Sequence, residues 1–262
     1  MIERLLSCFA ILIGLLSAVA WADPVEVGGS LLLVSGAHVE QTGAKASATL
    51  IPAPLLVVRQ RWNHVEIELE SIPPLGPQRI GANGLGLRST ALSYFDGTLR
   101  HDVSPGTQLG VGEIVYNQQS IYQSTTGPFP LNGGGTFSST TTNTDRSRIV
   151  GAMFGAEHVF ARGVRSRFIA SVAFSPSLHG VLGGQEHYVS NDANYTGPWS
   201  AVSETGSQIA AIAQADVHAN RRVTVHYGVR YLNMVMRFTG GQLADRNGFI
   251  VPFAGLTTAL GR

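Results

Sequence analysis

Residues 222–238 read RVTVHYGVRYLNMVMRF. Val223, Val225, Tyr227, Val229 and Tyr231 occupy one face of an extended chain, and Thr224, His226, Gly228 and Arg230 occupy the other. Alternation with a period of two is what a strand shows when one face is apolar and the other polar. Two architectures produce it. In a soluble sandwich the apolar face points at a core. In a barrel that spans a bilayer it points at lipid, and the polar face lines the inside.

Composition and the start of the chain favour the second. Charged residues make up 13% of the chain, about half the usual ~25%. There are 31 glycines, the net charge is +1 and the mean hydropathy is +0.13. So small a charge gives no case for nucleic acid as a partner. Beyond the first 22 residues no apolar run approaches the ~20 residues of a membrane helix. The opening MIERLLSCFAILIGLLSAVAWADP has a head with Arg4, an apolar run from Leu5 to Ala20, and Ala20-Trp21-Ala22 ahead of Asp23. These are the parts of a cleaved secretory signal peptide over residues 1–22. The expected mature domain is residues 23–262. The single cysteine is Cys8, so disulfides play no part in it.

Ten segments read as strands: 25–39, 55–61 (with an extension upstream past Pro52 and Pro54), 64–71, 89–103, 108–123, 146–160, 165–180, 204–219, 222–238 and 248–261. Because 55–61 is short, eight strands is the fallback. Short connections at Trp62-Asn63, Ser104–Thr107, Ala161–Val164 and Asn220-Arg221 alternate with longer polar stretches such as STTGPFPLNGGGTFSSTTTNTD and VLGGQEHYVSNDANYTGPWSAVS. Short turns at one rim and long loops at the other mark a membrane barrel. The expected fold is all-β: an antiparallel, transmembrane, up-and-down β-barrel with short periplasmic turns and long extracellular loops. Pro252 falls inside the last strand, where it requires a bulge or a place near the rim.

Charges within wall segments belong in the lumen, because an Arg or Lys facing lipid at mid-depth costs ~2–4 kcal/mol. The expected lumen-facing set is Arg59, Glu66, Glu68, Asp96, Arg100, Glu113, Glu157, Arg167, Asp216, His226 and Arg230. Glu70 joins Glu66 and Glu68 on one face, with Val65, Ile67 and Leu69 outward. A turn at Trp62-Asn63 sets Arg59 opposite Glu66. The mixed signs predict an ion-paired interior that side chains fill. Tyr94, Tyr116, Tyr122, Tyr227, Tyr231 and Phe160 are candidates for the interfacial aromatic girdles.

No P-loop, H-E-x-x-H or G-x-S-x-G is present. No catalytic, cofactor-binding or metal residue is expected. His101-Asp102 and Asp216-x-His218 are the nearest things to acid–base couples and read as solvated rim residues. With its signal segment, strands such as VTVHYGVRY and alternating connections, the chain resembles Gram-negative outer-membrane β-barrel proteins. That resemblance implies outer-membrane lipid and the barrel-insertion machinery as partners. Such proteins usually end in an aromatic residue; this chain ends LTTALGR, and Phe253 is its last aromatic. The leading expectation is a non-catalytic barrel, structural, porin-like or binding through its outer loops. The alternatives are an outer-membrane hydrolase, using Glu186, His187, Asp192 and Asp245 of the outer loops, and a soluble periplasmic carrier of a lipophile. The carrier needs an apolar interior, which the charged set does not provide.

Overall fold

The computed structural model describes residues 25–40, 45–73, 78–79, 86–132 and 134–260. The expected signal peptide with Cys8, and the last two residues, lie outside them. In chain order the strands are β1 Val25–Glu40, β2 Lys45–Trp62, β3 Val65–Ile72, β4 Gln78–Arg79, β5 Leu87–Ser104, β6 Thr107–Pro130, β7 Thr136–Arg162, β8 Ser166–Ser190, β9 Asn194–His218, β10 Val223–Phe238 and β11 Leu243–Leu260. The two-residue β4 pairs only with β5. The other ten form the wall. Each pairs antiparallel with its neighbours, β3 bridges to β5, and β1 pairs with β11, so the ring closes. The fold is a ten-stranded up-and-down barrel. Closure gives backbone N–H and C=O groups in the wall a partner that lipid cannot supply.

Side chains sort as the alternation requires. In β10, Val225, Tyr227, Val229 and Tyr231 are exposed on the outside, while His226, Met234 and Met236 are buried inside. Phe95 and Leu99 of β5, Val172 and Phe174 of β8, Ile209 of β9 and Ile250 of β11 continue the exterior apolar band. Soluble monomers rarely expose so wide an apolar surface. Toward the other rim the exterior turns polar, with Arg146 and Arg148 on β7, Arg237 on β10 and Arg246 on β11 exposed.

The short-turn rim carries Val25 and Leu260, which pair with each other. One turn differs from expectation. Trp62 pairs with Val65, so the turn is Asn63-His64, and Arg59 lies opposite Glu68 rather than Glu66. The turn settles there because one residue must adopt a left-handed backbone; Asn63 does so at φ 47°, which asparagine tolerates better than tryptophan. At Asn220 the side chain caps its own turn, accepting from the backbone N–H of Arg222 and Val223 at 2.8 and 2.9 Å.

The opposite rim corrects a larger expectation. The polar stretches read as long loops are mostly strand. β6 to β9 run 24, 27, 25 and 25 residues, joined above by residues 131–135 and 191–193. Thr125 pairs with Thr140, and Thr141 with Tyr188. Here both faces of the sheet meet water, so no alternation marks the strand, yet threonine and tyrosine suit one.

Pro252 sits neither at the rim nor in a bulge toward β10, where it pairs with Val229. Its cost falls on the other side. The β1–β11 ladder skips from Leu32↔Phe253 to Ser35↔Ile250, which places the missing N–H at a gap in the pairing.

Gly228, between His226 and Arg230, is the tightest point of the deciding stretch. A Cβ there would stand 2.1 Å from the Ala213 carbonyl oxygen and 3.0 Å from the Phe253 ring. Gly228→Val is expected to abolish most of the heat-modifiable form, read as the mobility shift between boiled and unboiled samples on an SDS gel. Val229→Ala, on the outer face, is expected to retain it.

Candidate functional site

The lumen is organised around β3. Glu66, Glu68 and Glu70 occupy three successive inward positions and are all buried. Neighbouring carboxylates so close demand cations, and both flanking strands supply one. From β2, Arg59 Nε donates to Glu68 at 2.7 Å and lies 3.4 Å from Glu66. From β5, Arg100 donates to Glu66 at 3.1 Å and to Glu68 at 2.5 Å. Glu70 takes its partner from across the barrel: Arg230 of β10 grips it with both terminal nitrogens, one at 2.6 Å. Nearer the short-turn rim, Arg61, half-exposed, pairs with Asp102, which is about a fifth exposed.

Other members of the expected lumen set have local partners. Asp96 is buried and accepts from Tyr94 Oη at 2.9 Å and Thr98 Oγ1 at 2.7 Å. Arg167 Nε donates to Asp216 at 2.7 Å, and Gln214 also donates to that carboxylate. His226 Nε2 and Ser30 Oγ are 2.8 Å apart. Glu157 lines the same cavity as Glu68 and Arg100. Glu113 is a correction: it is exposed on the outer face between Val111 and Val115, opposite Gly97 and Ala152. Ile114, 0% exposed, and Tyr116 take the inward positions of β6. Both faces of this strand are apolar, so a rule that sends charges inward chose the wrong parity. An outward carboxylate is cheaper than an outward Arg or Lys. The girdle candidates divide as well. Tyr227, Tyr231 and Phe160 face outward, whereas Tyr94 and Tyr116 lie inside, ring centroids 5.2 Å apart. Tyr116 Oη donates across the lumen to Gln208 at 2.8 Å.

The expected ion-paired interior accounts for only part of the lumen. The arginine–carboxylate ties fill the half next to the short-turn rim. Above them two apolar clusters face each other: Leu32, Ala53, Ile72, Val251 and Phe253 with Val34 and Phe249, and Ile114, Ile149, Leu178, Met234 and Met236 with Leu92 and Leu232. Between them is a cavity of about 280 Å³. Its floor is Glu68, Glu70, Asp96, Arg100 and Arg230. At its upper end His38, Gln118 and Ser147 also line a polar vestibule with Glu204 and Asp245. His38 Nδ1 and Asn247 Oδ1 are 2.7 Å apart there.

The outer residues named for hydrolysis do not converge. Glu186 and His187 are adjacent in β8 and point to opposite faces. Glu186 accepts from Tyr195, and His187 pairs with Thr196 at 2.8 Å. Asp192 is in the connection above β8 and β9, and Asp245 is on β11. At the short-turn end Asp216 and His218 engage different partners, Arg167 and Thr224. Among the described residues no group of three or more His, Cys, Asp or Glu is placed to hold a metal ion.

No family model and no curated protein matches the chain. Solved structures do. The outer membrane protease OmpT from Escherichia coli aligns over 90% of this chain and 97% of its own, with a TM-score of 0.60 at 10% identity. The translocator domain of the autotransporter NalP from Neisseria meningitidis aligns over 98% and 97%, with a TM-score of 0.45 at 9% identity. The Pseudomonas putida toluene transporter TodX aligns over 94% and 92%, with a TM-score of 0.41 at 9% identity. The likeness to OmpT concerns the fold, which is that of an outer-membrane barrel.

Removing one side of a buried ion pair leaves an uncompensated charge and costs about 3–5 kcal/mol, whereas an exposed pair is worth about 0–1 kcal/mol. Arg100→Met, which leaves Arg59 alone to balance the buried Glu66 and Glu68, is therefore expected to lower stability by about 3 kcal/mol or more. Arg61→Met is expected to change it by less than about 1 kcal/mol. Urea unfolding of both variants in lipid vesicles, followed by tryptophan fluorescence, checks the contrast.

Proposed function

We propose that the protein is an integral outer-membrane barrel that acts without catalysis, closed at its periplasmic end, with its working surface on the raised sheet of β6–β9. The observation that carries this is the difference in strand length. β6–β9 have 24 to 27 residues, while β1, β2, β5, β10 and β11 have 16 to 18. The wall needs only ~9–11 residues to cross a bilayer. The extra length holds up a paired, two-sided polar sheet, and rigid scaffolds that present variable surface are where binding resides. The exterior apolar band and the expected signal peptide support the outer membrane as its location. The closed floor rests on the ties of Arg59, Arg100 and Arg230 to the glutamates of β3. The dispersal of Glu186, His187, Asp192 and Asp245 supports a non-catalytic role.

Two measurements on one preparation test this. A short epitope inserted in the connection at residues 191–193 should be labelled by antibody on intact cells, and purified wild-type barrel should leave a planar lipid bilayer without steady channels. Labelling only after the outer membrane is permeabilised would reverse the orientation. A steady open conductance would replace the closed barrel with a pore.

A further inference from the structure

We propose that the lumen above the charged floor is a binding site for one unbranched alkyl chain whose small, uncharged polar head rests at the neck. This goes beyond the surface role and rests on the cavity alone. Three features select the ligand. The first is lining: Leu32, Leu92, Ile149, Leu232, Met234 and Phe249 surround the slot, and methionine adapts its shape to irregular apolar guests. The second is form. Along β1 the cavity is lined by residues 32, 34, 36 and 38 in succession, a run of about 20 Å at the rise of a strand. A volume of about 280 Å³ drawn out over that length is a narrow slot. It is also slightly below the ~300–1,000 Å³ of pockets that take compact small molecules. An unbranched chain fits it lengthwise.

The third feature is the chemistry at the two ends. The floor charges already have partners: Glu70 has Arg230, and Asp96 has the hydroxyls of Tyr94 and Thr98. A charged ligand head has no reason to go there, and the chain's apolar end points down. At the neck, Ser147 Oγ is buried without a hydrogen-bond partner among the described residues, next to the amide of Gln118. A buried hydroxyl left in that state costs free energy until a ligand supplies the bond. A hydroxyl or an ester oxygen on the chain does so. The polar vestibule above would receive anything larger attached to it.

The test uses the full chain in a sterol-tailed detergent, whose rigid tail is too wide for the slot. The n-alkanols from n-hexanol to n-tetradecanol are added, and adducts are counted by native mass spectrometry. The expected result is a saturable one-to-one adduct whose affinity rises about fourfold per methylene and then levels off once the slot is full. Leu232→Trp fills the slot and should remove the adduct, while Val229→Trp on the lipid face should leave it unchanged. Heat-modifiability confirms that each variant is folded; should Leu232→Trp fail that check, Leu92→Phe takes its place. Three outcomes would overturn the proposal: no saturable adduct, an adduct unaffected by filling the slot, or affinity independent of chain length. None of them bears on surface labelling or conductance, so this site and the closed surface scaffold stand or fall separately.

Discussion

The ring closes through its weakest member. β3 has eight residues and stands between β2 and β5, each of 18, yet the wall depends on strand pairing at membrane depth, where lipid offers the backbone no partner. The straps from Arg59 and Arg100 to Glu66 and Glu68 run across all three strands at this seam. Buried ion pairs often do little better than break even against apolar side chains of similar size, so their worth here is register. A slip of one residue turns every side chain of a strand to the other face. For β3 that would carry three carboxylates into lipid and Val65, Ile67 and Leu69 into the lumen. The charges make the one correct pairing of a short strand far better than its neighbours.

From that seam follows the division of the interior. The carboxylates draw in arginines, the arginines crowd the half next to the short-turn rim, and Arg230 is the last of them, its guanidinium 5.8 Å from the ring of Phe253. Phe253 belongs to the apolar cluster above, so charged and apolar halves meet at this contact. Each half has a consequence. The floor is closed by groups that satisfy one another, and the half above it is lined mainly by aliphatic and aromatic side chains with a few polar groups among them.

The wall was legible because lipid and lumen impose opposite demands on alternate residues, as in Val223 to Tyr231. The same stretch carried a signal that alternation alone did not use. After Arg230 the inward positions become Leu232, Met234 and Met236, while outward Tyr231 and Val235 alternate with Asn233 and Arg237, so the clean polar-in, apolar-out contrast is lost. That loss of contrast marks where the lumen stops being polar. It also explains Glu113, since β6 is apolar on both faces around Ile114 and its parity cannot be read from its own residues. The raised parts of β6–β9 were illegible for the opposite reason: with water on both sides, Thr140, Thr141 and Thr142 carry no face information. Cross-lumen partners such as Arg230 with Glu70, or Tyr116 with Gln208, depend on strand tilt, which no local pattern encodes.

Among the described residues the raised sheet has two free edges, and the sequence treats them alike. β5 stops pairing with β6 at Leu87↔Tyr122, and β10 stops pairing with β9 at Phe238↔Glu204. Above those points β6 and β9 are edge strands, and exposed edges invite pairing with other chains. Each carries the same tripeptide there: Thr126-Gly127-Pro128 on β6 and Thr196-Gly197-Pro198 on β9, with Pro130 following on β6. Proline removes a ladder donor, which is tolerable only at an edge, and in doing so it blocks strand addition. The inner strands β7 and β8 have no proline at that height. With both edges closed to a further strand, what the sheet offers a partner is its two faces and its tips, where the side chains of β7 and β8 project.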